Sequence, residues 1–140
     1  MMHYPDILTL IPHRPPFVMI DHIIEITRDA IIVEKTFHDN DYGTRGHLIL
    51  EGVLIEVAAQ AVAAKQGYED LNCPGKPKRG MLVSVSHTDF FSRAKINVPL
   101  RIFAEKKNQV GDFSILAISI TQEDTPVAEG TIQIFLEPDV

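Results

Sequence analysis

The chain has 140 residues, of which 45% are apolar and 23% charged, and a formal net charge of −6. These values describe one globular domain, residues 1–140, able to bury a core without staples, and they exclude a disordered chain. The acidic balance argues against nucleic acid or an anionic membrane surface as partner, and the one cysteine, Cys73, cannot close an intramolecular disulfide.

Met1–Asp6 has no basic stretch followed by an apolar run, so no signal peptide is expected. Pro5–Ile11 reads as a short helical turn closed by Pro12, and Pro12–Pro16 as a stiff extended connector. Phe17–Thr27 is β-branched and predicts a strand; after a turn at Arg28-Asp29, Ala30–Phe37 completes a hairpin. His38–Gly46 is rich in turn formers and reads as a loop.

Gly52–Tyr68 is the one long helix, with Val53, Leu54, Val57, Ala58, Ala61 and Val62 at helical spacing and Gly67 as a stop. Its many alanines allow close packing against a sheet. Leu48–Ala64 is the longest apolar stretch, but Glu51, Glu56 and Gln60 make it too polar to span a bilayer. No membrane association and a cytoplasmic location are therefore expected. Asp70–Arg79 reads as a second loop. Strands are predicted over Gly80–Arg93, Val98–Lys106, Phe113–Gln122 and Val127–Glu137, with turns at Lys107–Asp112 and Glu123–Pro126. The fold class is α+β, with an antiparallel sheet of about six strands around one central helix.

Glu56 and Gln60 are four residues apart and share a helix face. If that face is buried, the carboxyl is held neutral and can donate a proton. If it is solvated, Glu56 is an ordinary surface residue. His47, in the loop ahead of the helix, is either a base that meets this acid across a pocket or a lone polar loop residue. His13-Arg14 reads as fixing the connector. His38 and His87 read as surface residues, and Cys73 lacks an activating partner. No Cys/His pair has zinc-site spacing, so no zinc site is expected.

Gly46-His47, followed by Val53-Leu54-Ile55-Glu56-Val57-Ala58-Ala59-Gln60-Ala61, resembles the β-hydroxyacyl-(acyl carrier protein) dehydratases of the hot-dog fold. That family has a Gly-His pair and then an apolar run into Glu-Ala-Met-Ala-Gln. Ile11-Pro12-His13-Arg14-Pro15-Pro16-Phe17-Val18-Met19-Ile20-Asp21 resembles its N-terminal Leu-Pro-His-Arg-Tyr-Pro-Phe segment, and Phe91-Ser92-Arg93-Ala94 is similar to its Phe-Arg-Arg-Pro stretch. The compact form also resembles a divergent branch associated with aryl polyene or polyketide-type pathways, in which some members pair unlike subunits.

The resemblance implies dehydration of a 3-hydroxyacyl thioester to a trans-2-enoyl thioester, a reaction that requires no metal or redox cofactor. His47 would act as base and Glu56 as acid, Gln60 would be the family's helix glutamine, and Gly52 would offer its backbone N–H to the thioester carbonyl. Each site would combine the histidine of one subunit with the carboxylate of another. A homodimer or higher oligomer, or a heterodimer with a related subunit, is thus implied, with the acyl chain along the interface. An acidic acyl carrier protein would dock on Lys76, Lys78, Arg79, Arg93 and Lys95, a group that could equally be a solubilising loop. The loop from His47 to Glu56 departs from the family by being about five residues shorter, with Leu48-Ile49 and Glu51-Gly52 in place of Phe-Pro and Pro-Gly. Two rival readings follow: a hot-dog acyl thioesterase, and a non-catalytic subunit that binds acyl chains or carrier protein and supports an active partner.

Overall fold

Asp6 opens the first helix, α1 (Ile7–Leu10), by accepting the Leu8 N–H at 3.0 Å on its side chain. The computed structural model describes residues 3–72 and 79–137, the side chains of 79–83 and 136–137 excepted. The connector after α1 is not extended throughout. Arg14–Phe17 is a turn closed by Phe17 N–H to Arg14 O at 2.9 Å, and the Pro15–Pro16 bond is cis. The strand expected over Phe17–Thr27 is shorter, β1 (His22–Ile26). Phe17–Asp21 lies outside it because Phe17 and Met19 give their backbone groups to a side chain of the long helix, described below.

The hairpin partner is β2 (Ala30–Lys35). The expected loop over His38–Gly46 contains a further strand, β3 (Thr44–Arg45), which pairs with β4 (Leu48–Ile49). Gly46 and His47 are the two turn residues, and Gly46 has φ +62°, the left-handed conformation such tight turns favour.

The long helix, α2, runs Glu51–Asn72, one residue earlier and four later than the spacing predicts. Gly67 does not stop it. A Cβ at Gly67 would sit 2.1 Å from the Leu10 carbonyl oxygen, so glycine there serves close approach of α1 to α2. The helix continues over residues expected to be loop, with i,i+4 links from Lys65 to Glu69 and from Gln66 to Asp70.

Four long strands follow: β5 (Arg79–Phe90), β6 (Leu100–Val110), β7 (Phe113–Gln122) and β8 (Thr125–Glu137). β6 reaches past the turn expected from Lys107. Its outer residues Lys106–Val110 are exposed, yet pair with β7 up to a two-residue turn at Gly111-Asp112. The β7–β8 turn is likewise two residues, Glu123 and Asp124, both at positive φ. The antiparallel order is β1-β2-β6-β7-β8-β5.

The inner face of this sheet carries Val33, Leu100, Ile102, Leu116, Ile118, Ile120 and Ile132, all buried. Against it lie Leu54, Val57, Ala58, Ala61 and Ala64 of α2. Three alanines on that face bring the helix axis close to the strands. The hot-dog arrangement expected from the resemblance is thus the observed one: a sheet curved around one long helix. None of the helices among the described residues is long and apolar enough to cross a membrane.

Candidate active site

Gln60 is the only polar residue among those buried on α2, with 1% of its surface exposed. Its carboxamide makes three hydrogen bonds. The Oε1 accepts the Met19 N–H at 2.8 Å, and the Nε2 donates to Phe17 O at 2.8 Å and to Glu56 Oε1 at 3.0 Å. A buried amide is tolerated when its donors and acceptors are paired, and here the pairing fastens the N-terminal connector to the helix.

Glu56 sits one turn earlier on the same face. Its side chain is 44% exposed, so of the two settings open to it, buried or solvated, the described residues leave it partly solvated. The reason is local, since the connector covers Gln60 but reaches Glu56 only through His13. The His13 Nε2 lies 3.8 Å from Glu56 Oε1, in ion-pair range and beyond a hydrogen bond. His13 Nδ1 is buried without a hydrogen-bond partner among the described residues. No described donor meets Glu56 Oε2. Arg14 does hold the connector as expected, donating to Ile11 O at 3.1 Å and to His13 O at 2.7 Å. The closeness of His13 to Glu56 was not expected, and its placement in the same N-terminal motif as Phe17 was the one sign of it.

His47 occupies the tip of the β3–β4 hairpin, 83% exposed, with Nδ1 against the Asp39 carboxylate. Among the described residues no hydrogen bond or ion pair joins it to Glu56 of the same chain. The hairpin is nevertheless tied to the start of α2. Leu50 N–H donates to Gly43 O at 3.2 Å, and Gly43, at φ +95°, lies where a Cβ would be 2.9 Å from Val53 Cγ1. Gly52 is the second residue of α2, and the space where its Cβ would point is open. Helix-initial N–H groups have no partner within the helix.

Arg93 and Lys95 are exposed in the loop after β5. That loop is ordered by buried Gln122, which accepts Lys95 N–H and donates to Lys95 O, each at 2.8 Å, and to Val98 O at 2.9 Å. Lys76, Lys78 and Cys73 lie outside the described residues, and Arg79 is described only as the first backbone position of β5. His38 bonds Asn97 through Nδ1 at 2.9 Å, and His87 pairs with Asp89 at 3.0 Å, both at the surface.

A narrow apolar slot opens between α2 and the β5 side of the sheet, lined by Leu54, Ile55, Ala58, Val85, Phe90 and Ile118 among others. At roughly 100° per residue, this side of the helix is about opposite that of Glu56 and Gln60. The slot therefore does not feed the Glu56 of its own chain.

A model of the ApeP-like family (ApeP dehydratase) matches residues 5–140. The chain is 28% identical over 138 residues to a 3-hydroxyacyl-[acyl-carrier-protein] dehydratase FabZ of Lactococcus lactis subsp. cremoris, covering 94% of this chain and 92% of that one. It is 38% identical over 71 residues to a FabZ of Magnetococcus marinus, 46% of each chain. Among solved structures it resembles the dehydratase heterocomplex ApeI:P from Xenorhabdus doucetiae, with a TM-score of 0.87 at 17% identity over 98% of this chain and 94% of that one. A hypothetical thioesterase from Streptococcus pneumoniae TIGR4, solved with coenzyme A, has a TM-score of 0.68 at 16% identity over 84% and 86%. The two structural likenesses share the fold.

Proposed function

The chain belongs to the ApeP-like dehydratase family, and from that membership we propose that it supplies the acid, Glu56, for removing water from a 3-hydroxyacyl thioester carried on acyl carrier protein. The carrying observation is the Glu56 carboxylate, held at Oε1 by Gln60 and with no described donor at Oε2. In the reaction a base takes the α-proton, electrons move to the thioester carbonyl, and the enolate then expels the β-hydroxyl as Glu56 protonates it. The products are a trans-2-enoyl thioester and water. His47 is the base, imidazole being the side chain most often used for proton abstraction. The first N–H groups of α2, that of Gly52 included, stabilise the enolate oxygen, because the helix dipole favours negative charge there. The base has gained one proton and Glu56 has lost one, and exchange with water resets both.

The exposure of His47 and the lack of any link to its own Glu56 support a site shared between subunits. So does β5, a 12-residue strand at the sheet edge that pairs only with β8 among the described residues. Long unpaired edges template pairing with another chain, and Val85, Phe90 and Phe91 leave apolar surface exposed beside this one. Arg93 and Lys95, with Lys76, Lys78 and Arg79, offer positive charge to an acidic carrier.

The test is incubation of the purified protein with a 3-hydroxyacyl thioester, following enoyl absorbance. Product from wild type and a loss of about 10²–10⁴-fold in Glu56→Ala are expected. Release of free acid and thiol would mean a thioesterase instead. A second reading has its own support, since the ApeI:P structure is a heterocomplex and the His47–Glu56 loop is short: this chain gives Glu56 to a site whose histidine comes from a related, unlike subunit. Activity only after such a subunit is added, still lost in Glu56→Ala and kept in His47→Ala, is its expected signature.

A further inference from the structure

We propose that His13 is a positioning residue for Glu56, fixing which carboxyl oxygen carries the proton. The inference rests on the dehydratase reading above and deepens it. Two nitrogens converge on Glu56 Oε1: Gln60 Nε2 at 3.0 Å and His13 Nε2 at 3.8 Å. No described donor approaches Oε2. In a neutral carboxyl group the carbonyl oxygen accepts and the hydroxyl oxygen donates. Donors gathered at Oε1 make it the accepting oxygen, so the acid proton resides on Oε2, the oxygen open to a substrate.

The ring's own environment selects the donor. His13 Nδ1 is buried and meets no hydrogen-bond partner among the described residues. The tautomer protonated at Nε2 turns its one N–H toward Glu56, whereas the Nδ1–H tautomer would bury that N–H unpaired. The backbone also holds the ring in place: Arg14 donates to His13 O at 2.7 Å, and three residues further on Gln60 secures Phe17 O. At 3.8 Å the His13–Glu56 contact is open. Catalytic hydrogen bonds are often long before substrate binds and tighten in the complex. As Oε2 gives up its proton, negative charge spreads over the carboxylate, and the donors at Oε1 gain strength at that moment. The effect of His13 therefore falls on turnover rather than on substrate affinity.

The experiment pairs kinetics with nitrogen NMR, using whichever assembly forms enoyl product. His13→Ala is expected to lower kcat about tenfold or more, the loss of one charge-assisted hydrogen bond, with KM within about twofold of wild type. His13→Gln, which returns an N–H donor, is expected to recover most of the loss. In the wild-type protein at alkaline pH the His13 ring should show its proton on Nε2, and Glu56→Ala should shift that nitrogen signal. Unchanged kcat in His13→Ala, equal kcat losses in the two variants, or a signal indifferent to Glu56→Ala overturns the assignment. If no assembly forms enoyl product, the dehydratase reading fails by itself. The NMR comparison then decides the His13–Glu56 contact alone, a shifted signal supporting it and an unshifted one refuting it.

Discussion

Glu56 and Gln60 stand together on α2, but they do different work. Glu56→Gln keeps the volume and an acceptor for Gln60 while removing the acidic proton. A fall of about 10²–10⁴-fold in kcat is expected, with a melting temperature close to wild type because the side chain is half exposed. Gln60→Ala should have the opposite balance. It strands the Met19 N–H and the Phe17 carbonyl, so a loss of about 2 kcal/mol in urea unfolding is expected. The four-residue spacing made this pair legible in the sequence. His13 was not legible as their neighbour, because 43 positions separate it from Glu56 and only the folded connector closes that distance.

Between elements, the tightest junction is the crossing of α1 over α2 at Gly67. Elsewhere in a helix, alanine would be favoured over glycine by about 1 kcal/mol. Here the added methyl meets the Leu10 carbonyl oxygen at 2.1 Å, so Gly67→Ala should destabilise by about 1–3 kcal/mol, read as a lowered urea midpoint with an unchanged slope. That reversal of sign explains a misreading: locally Gly67 resembles a helix stop, and only tertiary contact reveals why glycine stands there. Elements patterned on the core were legible, such as β7, where alternate residues are buried. The outer part of β6 was not legible because Lys107–Val110 is exposed on both faces and shows no alternation.

For the whole molecule, the arrangement leaves its two sheet edges unequal. β1 is five residues long, while β5 is twelve and bordered by exposed apolar side chains. If β5 joins subunits, Val85→Lys should shift sedimentation toward a monomer and, because each site would then lack its second contributor, abolish turnover while preserving the fold. An unchanged sedimentation coefficient would remove β5 as the joining edge. The Gln60 clamp has a further consequence, for the order in which the chain assembles. It joins residues 41 and 43 positions apart, so a large loop must close before it can form. An interaction made that late stabilises the finished protein without speeding its arrival. Stopped-flow measurements on Gln60→Ala should therefore show most of the lost stability as faster unfolding, with the refolding rate nearly unchanged; the N-terminal segment is a latch set last, and its release is the first step in coming apart.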